Sequence, residues 1–172
     1  AYKMHTCNGI LFNHESPRRG PTFVTKKIIQ ALVRIKLKKQ KVLTLGNLYS
    51  VRDWGHAKDY ARSMWKIMQY KKPDDWVIAT NQIMNVKQFV TLSAKKLGLN
   101  IIWKNKNENE IGLNSKNGKI VVKIDKKFFR PGEVDFLKGN FNKAKNLLKW
   151  KPSYNINQLI DEMINHELKT YE

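Results

Sequence analysis

Cysteine occurs once in the 172 residues, at Cys7, so no disulfide can form within the chain. A lone thiol suits a reducing compartment and points to the cytoplasm. No apolar run approaches the roughly eighteen residues a membrane-spanning helix needs, and no basic-then-apolar signal segment opens the chain. None of the nine glycines forms G-x-G-x-x-G or G-x-x-x-x-G-K, so no nucleotide-phosphate loop of either kind is present. The histidines at 5, 14, 56 and 166 lack ligand spacing, and one cysteine cannot complete a set, so no metal site is expected.

Acidic residues are also scarce, 14 against 33 basic ones, which leaves a net charge of +19. Such a balance suits a polyanionic partner, and a basic nucleic-acid-binding module is one reading. Arginine, however, is nearly absent: 27 of the 33 are lysine. Nucleic-acid sites lean on arginine for two-pronged contacts, and these lysines are spread along the chain. Together with abundant Asn and Ile, they read as compositional drift from an AT-rich genome. The tryptophans sit mostly within apolar patterns, which predicts burial and not an exposed stacking face. At 41% hydrophobic residues a packed core is expected.

The stretch Cys7-Asn8-Gly9-Ile10-Leu11-Phe12-Asn13-His14-Glu15-Ser16-Pro17-Arg18-Arg19-Gly20 organises the rest. Its apolar part suits a strand buried on both faces. Ser16-Pro17 turns the chain, and Thr22 is placed to cap a helix from Thr22 to about Lys38, with Val24, Ile28, Ala31 and Ile35 inward and lysines opposite. Strand, polar loop and helix make half of a βαβ unit, and ligands lie beyond the carboxyl ends of such strands.

Further along, Val42–Leu45 reads as a strand and Arg52–His56 as extended. A helix follows from Ala57 to about Tyr70, with Tyr60, Ala61, Met64, Trp65 and Met68 on one face. Trp76–Ala79 is a second buried strand. Asn85 caps a helix from Val86 to Leu97, ended by Gly98. After a strand at Asn100–Trp103, the polar span from Lys104 to Gly118 reads as a mobile loop. Lys119–Ile124 alternates as a strand. Arg130–Asp135 is a charged turn, Phe141–Lys149 a short helix, and Asn155 caps the last one. The order is α/β, with too few strand–helix repeats for a complete doubly wound sheet.

The run NGILFNHESPRRG followed by TFVTKK resembles the GDP-mannose 4,6-dehydratases, extended short-chain dehydrogenase/reductase enzymes. RDWGHAKDY at Arg52–Tyr60 and the FRPxEVD pattern at Phe129–Asp135 are similar to further blocks of that family. The chain departs from it at Asn81-Gln82 for Gly-Glu, Asn140 for Asp after Gly139, and Lys149 for Gly before Trp150.

The resemblance implies the C-terminal part of a Rossmann-type sheet (about residues 1–20), then a substrate-binding lobe with returning Rossmann elements (about 21–172). The cofactor-binding half would precede Ala1, and the chain is expected to begin inside a larger protein. The implied reaction converts GDP-mannose to GDP-4-keto-6-deoxymannose with NADP as internal hydride carrier, in a homo-oligomeric dimer or tetramer. His14 and Arg19 would meet NADP. Asn13 would face the nucleotide sugar, and Lys27, with Lys26 as its adjacent competitor, would lie near the diphosphate. Arg52 and Arg130 suit the phosphates; Glu133 suits ribose hydroxyls or the guanine edge. Asp59 and His56 read as structural, His56 as packing or cap. No Tyr-x-x-x-Lys pair occurs, since Tyr2, Tyr49 and Tyr60 are followed four residues on by Thr6, Asp53 and Met64. The catalytic residues are therefore expected upstream, and these residues alone should be inactive. A related nucleotide-sugar dehydratase or epimerase is the alternative within the same fold.

Overall fold

β1 (Asn8–Leu11) pairs in parallel with β5 (Asp75–Ile78), Ile10 opposite Val77. The computed structural model describes residues 2–129 and 132–172. At Phe12, whose N–H donates to the Ile78 carbonyl at 3.0 Å, the chain changes partner. β2 (Asn13–Glu15) then runs parallel to β4 (Val51–His56), and β6 (Ile83–Asn85) joins the other side of β4 antiparallel. This hand-over delivers Asn13 and His14 to the end of the first sheet. β1 is not buried on both faces as expected: Ile10 is 53% exposed, and among the described residues β1 has β5 as its only strand neighbour.

A second body of structure is built on four strands in the order β3 (Leu43–Leu45), β9 (Ile120–Ile124), β8 (Ile111–Asn114) and β7 (Ile101–Lys104). Only the β3–β9 pair is parallel. β8 corrects the reading of 104–118 as a mobile loop. The span forms a 3-10 turn at Asn107–Asn109 and then an interior strand. Gly112 belongs there because of close packing. A Cβ on it would stand 2.9 Å from Ile101 Cγ2 and 3.1 Å from Val122 Cβ, and the register shifts just beyond it.

Three helices cover this sheet and share the main core: α1 (Val24–Lys36), α3 (Val86–Lys96) and α5 (Ile156–Lys169). Asn85 and Asn155 each cap their helix, with Gln88 and Gln158 closing reciprocal capping boxes. Thr22 does not cap α1; Phe23 holds that position without a side-chain bond, and the hydroxyl of Thr25 donates to Glu15 instead. Nor do all the lysines of α1 face water. Lys26 is buried, its Nζ 2.9 Å from Glu167 Oε2 on α5.

α2 (Ala57–Met68) packs in a second core with β5, α4 (Asn142–Leu147) and Trp150. Its inward face is Asp59, Tyr60, Ser63 and Ile67; of the face read as apolar only Tyr60 is buried, while Ala61, Met64, Trp65 and Met68 are exposed. The inward polar groups bring their own partners. Asp59 Oδ2 accepts the N–H groups of Ser153 and Tyr154, at 2.9 and 3.1 Å, and the Asp59 carbonyl accepts from Trp150 Nε1. The Ser63 hydroxyl donates to the Tyr60 carbonyl at 2.6 Å. A satisfied polar group can be buried without penalty, and small Ser63 allows close approach. His56 caps α2, its Nδ1 accepting from the Lys58 N–H. Trp54, Trp76 and Trp150 are buried as expected, but Trp65 is 64% exposed. Among the described residues no helix is long and apolar enough to cross a membrane.

Candidate functional site

The ends of β2, β3 and β4, the start of α1 and the turn at Lys126–Phe128 enclose a cavity of about 780 Å³. Asn13, His14, Arg19, Lys27, Arg52 and Glu133 all line it. Residues separated by up to 120 positions in sequence are thereby brought to one surface, where the carboxyl ends of β2 and β3 meet the start of β4. Arg130 lies outside the described residues.

His14 is fixed by its Nδ1, 2.9 Å from the Phe12 carbonyl. A carbonyl can only accept, so Nδ1 carries the proton, and in the neutral ring Nε2 is an acceptor. His14 therefore offers a bound group a lone pair. Its ring lies 5.0 Å from that of Tyr60, whose buried hydroxyl has no partner among the described residues. Burial, followed by the nearby Asp53 and Glu15 carboxylates, pushes the Tyr60 phenol far up.

Arg19 lays its guanidinium 3.6 Å above the Phe23 ring, with Nε 3.2 Å from Glu15 Oε2 but not aligned for a hydrogen bond. Glu15 is buried at the end of β2, and burial raises its carboxyl above the ordinary value of 4.5, against the smaller opposing pulls of the Thr25 hydroxyl, Arg19 and His14. The folded protein thus holds this proton more tightly than the unfolded chain does. The group's favourable contribution is complete below pH 4.5 and is lost as pH rises through the folded-state value. Urea unfolding of the chain and of Glu15→Gln, between about pH 4 and pH 8, is expected to show the glutamine variant gaining relative stability as pH rises. Parallel curves would refute this assignment.

Lys27 and Lys26 separate cleanly. Lys27 lines the cavity, while Lys26 is spent on Glu167 in the core. The Lys27 ammonium lies 3.8 Å over the Phe128 ring, and its basicity is lowered by burial first and by Lys127 second, with Asp125 opposing. Arg52 pairs with Glu133 (Nη2 to Oε1, 3.2 Å) and not with the acidic residues of its own block, Asp53 and Asp59. Asp59 belongs to Arg62 and the 153–154 backbone. Among the described residues, the charged cavity lining is Arg19, Lys27, Arg52 and Lys127 against Glu133 alone. That excess of fixed cations favours an anion.

Sequence reasoning missed Asn47, Lys127 and Phe128, which also line the cavity. Asn47 follows the strand end Leu45-Gly46, a position the strand-end rule identifies. Lys127 carries no signal in a lysine-rich chain. Among the described residues, no group of three His, Cys, Asp or Glu side chains could hold a metal ion.

The arrangement defines an extended short-chain dehydrogenase/reductase fold: a parallel, Rossmann-type sheet end joined to a smaller α/β lobe, with an anion-favouring cavity. The solved structure of RMD from Pseudomonas aeruginosa complexed with NADPH superposes at a TM-score of 0.73 over 94% of this chain and 47% of that one, at 15% identity. The sequence goes further. The family model described as GDP-mannose 4,6 dehydratase matches residues 1–163, and the chain belongs to that family. It is 49% identical over 169 residues to the GDP-mannose 4,6 dehydratase of Dictyostelium discoideum, covering 98% of this chain and 48% of that protein. It is 47% identical to the Homo sapiens protein of the same name, covering 98% and 45%. The chain spans about half the length of the curated relatives it matches.

Proposed function

We propose that this chain forms the substrate lobe and part of the cofactor pocket of a GDP-mannose 4,6-dehydratase, a lyase acting on GDP-mannose in the cytoplasm. The observation that carries this is the convergence of Asn13, His14, Arg19, Lys27, Arg52 and Glu133 on one cavity. Lys27 and Arg52 receive the diphosphate, Arg52 with the planar fork that suits phosphate oxygens. Glu133 has Oε1 engaged by Arg52. Its other oxygen is available to the ribose hydroxyls or to the guanine edge. Asn13, at the strand end, faces the sugar.

On the other side, His14 and Arg19 fit NADP. The fixed His14 ring presents Nε2 to a hydroxyl or carboxamide, and Arg19, held flat on Phe23, presents a cation. When bound, NADP supplies the hydride acceptor that makes C4 a ketone and so acidifies the C5 proton, and later returns the hydride. The residues of this chain orient the nucleotide sugar and hold its charge. Groups that move protons belong to the remainder of the family's length.

Titration calorimetry with the 172-residue chain tests the reading. GDP-mannose is expected to bind at least about tenfold more tightly than UDP-glucose, since a site that hydrogen-bonds one base leaves buried polar groups unpaired with another. With NADP⁺ added, no turnover is expected. Absence of GDP-mannose binding, or turnover by these residues alone, sinks the proposal.

A further inference from the structure

Phe128 is an odd residue to find in a cationic cavity. Its ring is 41% exposed there, yet its backbone is firmly seated. The Phe128 N–H donates to the Asp125 carbonyl at 3.0 Å. Its own carbonyl oxygen lies so close to Gly46 that a Cβ on Gly46 would stand 2.4 Å away. The ring is a plate carried on a seated backbone, and two ammoniums share it, Lys27 at 3.8 Å and Lys127 at 5.2 Å from its centroid. Two like charges on one ring repel each other. The nearest carboxylate of that turn, Asp125, is 3.5 Å from Lys127 at the solvent-facing side.

We infer that Phe128 is the stacking platform for the nucleobase and that Lys127 is, with Lys27, a diphosphate-binding residue, the two lysines resting on the ring until a nucleotide displaces them. This rests on the nucleotide-sugar reading of the cavity and adds to it the residues that grip base and phosphate. An aromatic face attracts a cation electrostatically and a base by stacking, so the vacated plate does not stay bare. A diphosphate placed between the two ammoniums also turns their mutual repulsion into two attractions. Neither swing breaks more than an exposed contact: Lys127 gives up its 3.5 Å pairing with Asp125, a surface ion pair of small worth, and Lys27 ends in the cavity itself.

The test compares GDP with inorganic pyrophosphate by titration calorimetry. Phe128→Leu is expected to weaken GDP binding at least about fivefold while leaving pyrophosphate within about twofold, because only GDP carries a base to stack. Phe128→Tyr should restore GDP binding. Lys127→Met should weaken both ligands about tenfold, as loss of a charge-assisted contact does. A purely structural role for Phe128 would shift both ligands together and would overturn the stacking assignment. So would a Phe128→Leu variant that binds GDP like the parent, with the nucleotide-sugar reading left standing. Lys127→Met that binds both ligands normally overturns the clamp. If the parent chain binds pyrophosphate but not GDP, that reading and this inference fail together. Should Phe128→Leu not fold, Phe128→Trp decides: tighter GDP binding supports the platform, and unchanged or weaker binding refutes it.

Discussion

Lys26→Met is expected to destabilise the protein by about 3–5 kcal/mol, the usual cost of breaking a buried ion pair from one side. Lys26 and Glu167 are both buried and meet at 2.9 Å between α1 and α5. Methionine fills nearly the volume of the lysine stem, so the loss comes from the Glu167 carboxylate left without a counter-charge in a dry helix interface. The pair as such need not stabilise much, because removing two charges from water costs nearly what their attraction returns. The double variant Lys26→Met/Glu167→Leu is therefore expected to recover most of the loss. Urea unfolding of the two single variants and the double variant measures this, and a double variant as unstable as the sum of the singles contradicts it. Lys27→Met, one residue along, should change stability by no more than about 1 kcal/mol, the scale of an exposed cation–π contact. Its effect belongs to ligand binding.

The second large effect is expected at Asp53, wholly buried on β4. Its Oδ1 accepts from the Thr80 N–H at 2.9 Å and the Thr80 hydroxyl at 2.8 Å, and its Oδ2 from the Asn81 N–H at 3.0 Å. The Gly139 N–H also approaches Oδ2, at 3.5 Å. One carboxylate thus ties β4 to the turn after β5 and to the segment leading into α4. Asp53→Ala strands buried donors at about 1–3 kcal/mol each, and a total loss of about 4 kcal/mol is expected on that scale. That is a large share of the roughly 5–15 kcal/mol by which domains are stable. Asp53→Asn, which keeps the shape and one oxygen, should fall in between. Hydrogen exchange at Thr80 and Asn81 locates the damage: both amides should lose protection in Asp53→Ala, and protection equal to the parent's would rule the tether out.

What could be read from the residues, and what could not, divides by the range of the interaction. The two Asn-capped helices were legible because Asn85 with Gln88, and Asn155 with Gln158, act over three residues. β6 escaped notice at three residues long, and β8 was hidden among asparagines with a glycine at its centre. Only the neighbouring strands explain why that glycine is packed. The inward face of α2 was misread because an apolar period points to Met64, Trp65 and Met68. Two of the residues that turn inward instead, Asp59 and Ser63, are polar, and the Asp59 partners, Ser153 and Tyr154, lie some ninety positions away.

The cavity shows the same division. Its named residues were found through resemblance of whole blocks, which carries three-dimensional information that spacing does not. The choice between Lys26 and Lys27 had no local solution, because it depends on Glu167 in the last helix. Lys127 and Phe128 depend on a turn leaning against Gly46.

The contact between α1 and α5 also sets an order of events during synthesis. Lys26 waits 141 residues for Glu167, and Arg34 waits 137 for the Tyr171 hydroxyl that accepts from its Nε. At ribosomal speeds of about 5–20 residues per second, the first helix emerges roughly 7–28 seconds before α5 does. The part of its apolar side that α5 covers, and one unpaired lysine, meet solvent for that interval. A nascent chain with such late, distant closure is the kind that chaperones hold.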